Sequence, residues 1–278
     1  MRNLNPYPED SFPVFTTAVD GKSDRISQAA LRAAYPTIKP KFQNYDSLFL
    51  RNELEHLAVD GIHDTIKDPL LSLYYSKSPV LAQIRKRLQE LQHRSIRYTC
   101  QYCTLETSKT WDHIVGKEEF PEFAIHPKNL LLACNTCNQI KGERWRTGLN
   151  KNLINLYIDQ LPDIKYLEVD VFLDDYGEID FRYMLRYSPG MSYDVYSLIL
   201  RHFGALHLTD RMREGAIKHL TEFQNAIRPR RNCGESEDSL ISSTLESCAA
   251  DRAVLGLNHW KPTMIEALVN SPVFWDTL

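Results

Sequence analysis

Apolar residues recur at three- and four-residue steps over much of this chain and alternate at two-residue steps in only a few short stretches. Helical spacing appears first at residues 28–34, with Ser27 as N-cap and Pro36 as stop. Tyr45, Leu48, Phe49, Leu54 and Leu57 then form a stripe that ends before Asp60-Gly61. Ser78-Pro79 opens a clearer helix, with Leu81, Ile84, Leu88 and Leu91 on one face. Residues 1–24 are polar, contain proline and carry no pattern, which predicts an extended arm or disordered tail.

The centre reads as strand, loop, strand, helix. Residues 110–115 are β-prone and stop at Gly116, residues 129–133 form a second short strand, and a helix begins near Thr136. Beyond Gly148 the character changes. Residues 152–161 read as helical, and residues 169–173 and 179–183 alternate around Asp175-Tyr-Gly177 as a hairpin. Thr209 caps a helix presenting Met212, Ala216, Leu220, Phe223 and Ile227, and a polar linker at 228–238, marked by Pro229 and Gly234, leads to a last helical segment with Leu240 and Leu245. The expected fold class is α+β: mainly helical flanks around a small strand–strand–helix core. The expected divisions are an arm at 1–24, a helical region at 25–97, the core at 98–148 and a C-terminal region of hairpin plus helices at 149–278.

Composition adds little to that picture. The 278 residues are 43% hydrophobic and 25% charged, ordinary for a soluble globular protein. No apolar run approaches the roughly 20 residues that span a bilayer, and the first ten residues lack the apolar core of a secretory signal, so a cytoplasmic chain is expected, with no membrane partner. The net charge of −3 is unevenly spread. Lys128, Lys141, Arg144, Arg146 and Lys151 stand against Glu143 alone between 128 and 151, whereas 235–278 is acidic. A basic centre on an acidic chain fits a localised phosphate-contacting surface as well as a solvated face. Arg85, Lys86, Arg87, Arg94 and Arg97, beside Glu90, allow the same two readings.

The cysteines change the picture most. Cys100/Cys103 and Cys134/Cys137 are two CxxC pairs with thirty residues between them, while Cys233 and Cys248 read as unremarkable reduced thiols. Four thiolates close a tetrahedron around zinc at about 2.3 Å per bond and leave no open position, so this zinc is structural. A module this small buries too little apolar surface to hold itself, and zinc supplies the deficit.

Inside and just after this frame lie Asp112, His113, Asn129 and Asn138. Phosphodiester hydrolysis needs a nucleophile, charge neutralisation and help for the leaving oxygen. A hard cation such as Mg²⁺ or Mn²⁺ on oxygen ligands serves the last two. Asp112 supplies a carboxylate, Asn138 an amide oxygen, and His113 a base that works near neutral pH. Adjacent strand residues face opposite ways, so the strand has to end near His113 for Asp112 and His113 to serve one ion. His126 reads as a loop residue, and His202 and His207 as packing or surface residues.

Trp111-Asp-His-Ile-Val115, Pro127-Lys-Asn-Leu130 and Cys134-Asn-Thr-Cys-Asn-Gln-Ile-Lys-Gly142 resemble the HNH endonuclease family with its ββα-metal fold. The resemblance implies Asp112 and Asn138 as ligands of the catalytic ion, His113 as general base and Asn129 as the brace of the intervening loop. The third signature position is Asn138 where many members carry His, and Gly116 stands where many carry Pro. Lys128, Lys141, Arg144 and Arg146 are the expected nucleic-acid contacts. The expected activity is DNA cleavage with little sequence choice. The layout also resembles the nuclease subunit of Septu-type and retron-linked phage-defence systems, which implies an ATPase partner. A non-catalytic zinc-knuckle module that binds DNA or protein, and an RNA-cutting toxin, are the alternatives.

Overall fold

Helix α1 (Phe12–Asp20) lies inside the stretch expected to be an extended or disordered arm. Phe12, Phe15, Ala18 and Val19 form a short helical stripe, and the last three are buried. The Phe15 ring packs 5.4 Å from Phe42 and 5.8 Å from Tyr35. The arm reading gave weight to the prolines and overlooked these aromatics, and apolar burial is what orders the segment.

The structure, a computed structural model, describes residues 1–59, 64–75 and 78–278; the expected break at Asp60-Gly61 lies outside them. The described chain is α+β and divides into two units. One comprises Asn3–Tyr102 and Glu106–Gln160; the other comprises Leu161–Leu278 with Met1–Arg2 and Cys103–Leu105. Among the described residues no helix is long and apolar enough to cross a membrane.

In the first unit, α2 (Arg25–Ala33) is capped by Asp24, which accepts from the Ile26 and Ser27 amides. Ser27, the expected cap, instead lies within the first turn and donates its hydroxyl to Asp24. A carboxylate at the N-cap satisfies two orphan amides and also suits the helix dipole. Pro36 falls in the first turn of α3 (Tyr35–Arg51), so it opens the next helix as well as closing the last. Helix α4 spans Asp64–Tyr75. Helix α5 (Pro79–Glu90) starts at the expected Ser78 cap and buries Val80, Ile84 and Leu88.

The core follows as β1 (Thr110–His113), β2 (Leu130–Ala133) and α6 (Asn135–Lys141). The strands are antiparallel, pairing Asp112 with Leu131 and His113 with Leu130. A small hairpin, β3 (Arg146–Thr147) with β4 (Asn150–Lys151), follows. The helix expected at 152–161 is absent. Asn155 Oδ1 accepts from the Tyr157 amide, and the Asp159 carboxylate accepts from the Asn155 amide and from Asn52. Such local side-chain bonds compete with helix for backbone donors.

In the second unit β5 (Leu167–Leu173) pairs antiparallel with β6 (Ile179–Leu185) around a turn whose Gly177 has φ +77°. Helix α7 spans Tyr193–Ala205 and α8 spans Leu208–Asn232. Thr209 therefore lies in the first turn of α8 rather than at its cap, which is His207. The expected linker at 228–238 is mostly helix: α8 runs through Pro229 to Asn232, and only a short turn over residues 233–236, with Gly234 at φ +88°, separates it from α9 (Glu237–Leu255). Arg231 holds this end of α8 by bonding the Trp275 carbonyl. Helices α10 (Trp260–Val269) and α11 (Pro272–Thr277) complete the unit.

Candidate metal centre and nuclease site

The two knuckles come together. The Sγ atoms of Cys100, Cys103, Cys134 and Cys137 all lie within 4.8 Å of one another, and all four residues are buried. A tetrahedron with Zn–S bonds of about 2.3 Å has sulfurs about 3.8 Å apart, so modest closure completes the shell. The local backbone suits thiolate ligands. The Leu105 amide donates to Cys103 Sγ at 3.4 Å, and the Cys137 amide to Cys134 Sγ at 3.3 Å. Cys134 is thereby the N-cap of α6, and Thr136 braces the knuckles by donating to Glu106 at 3.0 Å. Cys233 is exposed and Cys248 buried, and neither belongs to this group.

Strand β1 ends at His113, as one ion served by two adjacent residues requires. Asp112 is only 2% exposed. Its Oδ2 accepts from the Tyr102 hydroxyl at 2.8 Å and its Oδ1 from Lys141 Nζ at 2.9 Å. Burial first, and the Asp112 charge second, push the Tyr102 phenol well above its usual range, so it remains a donor. His113 is 6% exposed, with the Tyr74 ring 4.6 Å from its own. Its Nε2 lies 2.9 Å from the Ala124 carbonyl, which can only accept, so the neutral ring carries its proton on Nε2 and turns the Nδ1 lone pair outward from that bond. Burial pulls the His113 pKa down to about 3, and Lys141 and Lys117 add to the effect, so the ring is neutral near pH 7.

Asn138 is half-buried on α6, and its amide donates to the Trp111 carbonyl at 3.2 Å, next to Asp112 in the chain. The side-chain oxygen is thereby available as an acceptor beside β1. Asn129 is fully buried and all of its amide's polar capacity is spent within the loop and on Tyr45. It donates to the Val115 and Phe123 carbonyls and accepts from the Val115 amide and the Tyr45 hydroxyl. Gly142, at φ +52°, ends α6 in a conformation that L residues rarely adopt.

The expected phosphate contacts fare differently from one another. Lys141 is 2% exposed and turned inward, bonded to Asp112 and, at 2.5 Å, to the His113 carbonyl, so it does not face solvent phosphate. Lys128 pairs with Asp46 at 2.9 Å, and Arg146 pairs with Glu119 at 2.7 Å while lying over the Trp145 ring. Arg144 is exposed. On the basic face of α5, Arg87 is tied to Glu9, and Arg85 lies 4.8 Å over the Trp111 ring. Spacing could not separate these roles: Lys141 shares the helix face of Cys137, but a long lysine side chain can turn inward or reach out to solvent.

His126, expected in a loop, is fully buried against Phe42, Tyr45 and Phe123, and burial holds it neutral. Tyr102 and Tyr74 are the site residues that the sequence did not single out. Tyr102 could have been found, since it sits between two cysteines of one knuckle.

A family model described as HNH endonuclease matches residues 100–144, so this stretch is an HNH endonuclease domain. Protein ea31 of Escherichia phage lambda is similar, at 29% identity over 193 residues, covering 63% of this chain and 63% of that protein. The chain thus spans less than two thirds of that relative's length. No solved structure matches.

Proposed function

We propose that this chain is a metal-dependent endonuclease that hydrolyses phosphodiester bonds of DNA with little sequence choice, using residues 100–144. The observation that carries the reading is the His113 ring, pinned by its Nε2–H to the Ala124 carbonyl and neutral at physiological pH, immediately beside the buried carboxylate of Asp112. A base fixed in one tautomer, next to an oxygen ligand, is the arrangement that water activation needs.

Asp112 and Asn138 would hold Mg²⁺ or Mn²⁺, whose chemistry when bound is to neutralise the phosphate and the leaving oxygen. His113 takes the proton of the attacking water on Nδ1. Its depressed basicity favours rapid release of that proton and is offset when negative charge enters the site. Asn129 keeps the loop that carries the Ala124 carbonyl in register, and the four cysteines hold structural zinc. Arg144 offers charge to the nucleic-acid backbone, while Lys128 and Arg146 reach it only by leaving their acidic partners.

The finer reading is an effector of anti-phage defence held in check by an ATPase partner, acting in the cytoplasm. The layout of a small nuclease core between helical flanks supports it. The experiment is nicking of supercoiled plasmid with Mg²⁺ or Mn²⁺ by wild type and His113→Ala, with an RNA substrate alongside. Loss of about 10²–10⁴-fold in rate with zinc content intact is expected. Equal cutting by both proteins removes His113 from the reaction, and metal-independent DNA binding without cutting favours the zinc-knuckle binding module. Preference for RNA would make it the toxin-like nuclease.

A further inference from the structure

Both donors to the Asp112 carboxylate sit on segments anchored by the knuckle cysteines. Tyr102 lies between Cys100 and Cys103 and bonds Oδ2 at 2.8 Å, and it is 2% exposed. Lys141 lies one helical turn beyond Cys137 on α6 and bonds Oδ1 at 2.9 Å. The Lys141 ammonium also grips the His113 carbonyl. Each carboxylate oxygen has about two acceptor positions. One on each oxygen is therefore taken, and the plane of the carboxylate is fixed from both sides.

We propose that Tyr102 is the positioning residue through which the zinc-held knuckle orients Asp112 toward the hydrolytic cation, so that a zinc touching no reacting atom governs affinity for the second ion. The inference rests on the reading of Asp112 as a ligand of that ion. A carboxylate free to rotate about its last torsion spreads its lone pairs over many directions, and a small octahedral ion such as Mg²⁺ or Mn²⁺ selects few of them. The Tyr102 hydroxyl removes that freedom, and Lys141 resists it from the opposite oxygen. The phenol can hold its place only while its flanking cysteines are held, and in a turn this short the cysteines are held by their shared ion.

The test titrates Mn²⁺ into zinc-loaded wild type, Tyr102→Phe and Asp112→Asn, following the free Mn²⁺ signal by electron paramagnetic resonance and, in parallel, plasmid nicking. Tyr102→Phe keeps the ring and removes the hydroxyl. It is expected to retain one zinc per chain, to weaken Mn²⁺ binding by about 10- to 100-fold, and to recover most of kcat when Mn²⁺ is raised. A merely structural role would lower the folded fraction and leave the affinity of the folded remainder unchanged, and that result overturns the proposal. Tyr98→Phe, an exposed tyrosine of the same segment, serves as the control that should move nothing. If Tyr102→Phe loses zinc, site-specific 3-fluorotyrosine at 102 replaces it. The more acidic phenol donates a stronger hydrogen bond to Asp112 Oδ2 and holds the carboxylate more tightly, so a several-fold shift in Mn²⁺ affinity is expected with zinc unchanged; unchanged affinity overturns the proposal. Failure of the wild type to bind Mn²⁺, with Asp112→Asn indistinguishable from it, would instead refute the reading of the nuclease site itself.

Discussion

The β1–β2 pair and the β5–β6 pair are both two-stranded sheets, and neither would be stable alone in water. They are held in opposite ways. Strand β6 turns Ile179, Phe181 and Tyr183 into an apolar interior, and the Tyr183 hydroxyl ends on the Trp260 carbonyl of α10. The loop before α10 closes the arrangement with Asn258, whose side chain accepts from the Tyr166 and Leu167 amides and donates to the Ile164 carbonyl. Strand β1, by contrast, buries Asp112 and His113 in consecutive positions, a costly use of interior space that only specific partners offset. The β5–β6 interior is mostly apolar, whereas the β1–β2 interior sets a carboxylate and an imidazole with their hydrogen-bond partners among buried Trp111, Leu130, Leu131 and Ala133, beside four cysteines that could hold zinc. The second kind of interior is less forgiving but can do chemistry.

The largest expected break in that contrast comes from the four-cysteine cluster, on the proposal that it holds zinc. Chelation, or Cys137→Ser, should make residues 100–144 protease-sensitive while the β5–β6 hairpin stays protected, since structural zinc is worth about 10–16 kcal/mol of apparent folding free energy in small modules. Limited proteolysis read by mass spectrometry, with zinc measured in the same samples, checks this. Equal resistance with and without metal would mean that the core is held by its apolar contacts after all.

Next in size is the buried ion pair. Lys141→Met leaves the Asp112 charge buried without its cation, both side chains being at most 2% exposed, and is expected to cost about 3–5 kcal/mol. The matching change in the hairpin unit is Arg213→Gln, which breaks the pair with Asp180. The Arg213 side chain is 49% exposed, so water takes the place of its partner and the loss should be much smaller. Urea denaturation of both variants measures the difference, and similar losses would remove burial as its cause.

The smallest expected effect concerns acid. His113 and His259 are depressed to about 3, and His126 lies well below 6.5, each chiefly through burial. In the unfolded chain these rings take up protons below about pH 6.5, whereas the folded ones do not. Stability is therefore fully present above that pH and falls as pH drops from there toward 3. Among the described residues His126 has no hydrogen-bond partner at either ring nitrogen, with Asp46 approaching Nε2 only to 3.5 Å. His126→Phe should therefore leave stability at pH 7 nearly unchanged or improved and shallow the slope between pH 7 and 5, read from urea midpoints. An unaltered slope would exclude His126 as a source of the acid loss.

Much of the site was legible because its signals are local. Cysteine spacing, a strand ending near His113, and an asparagine one residue past Cys137 are all written within a few residues of one another. The hairpin around Gly177 was readable for the same reason, since alternation and a turn glycine sit side by side. The misreadings at 1–24 and 228–238 share one cause. Prolines and polar residues there read as breakers or fillers, whereas the aromatics Tyr35 and Phe42 around α1 and the Trp275 carbonyl decide those segments from elsewhere in the chain; at 152–161 the reverse holds, and local bonds to the Asn155 and Asp159 side chains displace the expected helix.

The amino-acid order by itself determined the four-cysteine frame, the order of strands and helix within it, and the residue types available for hydrolysis. Only the tertiary structure decided that Lys141 faces Asp112 instead of solvent, that Tyr102 touches the same carboxylate, and that the His113 ring leans on the Ala124 carbonyl. Spacing fixes which residues are neighbours along a strand or helix, but burial and the direction of each side chain are set by what packs against it from distant parts of the chain.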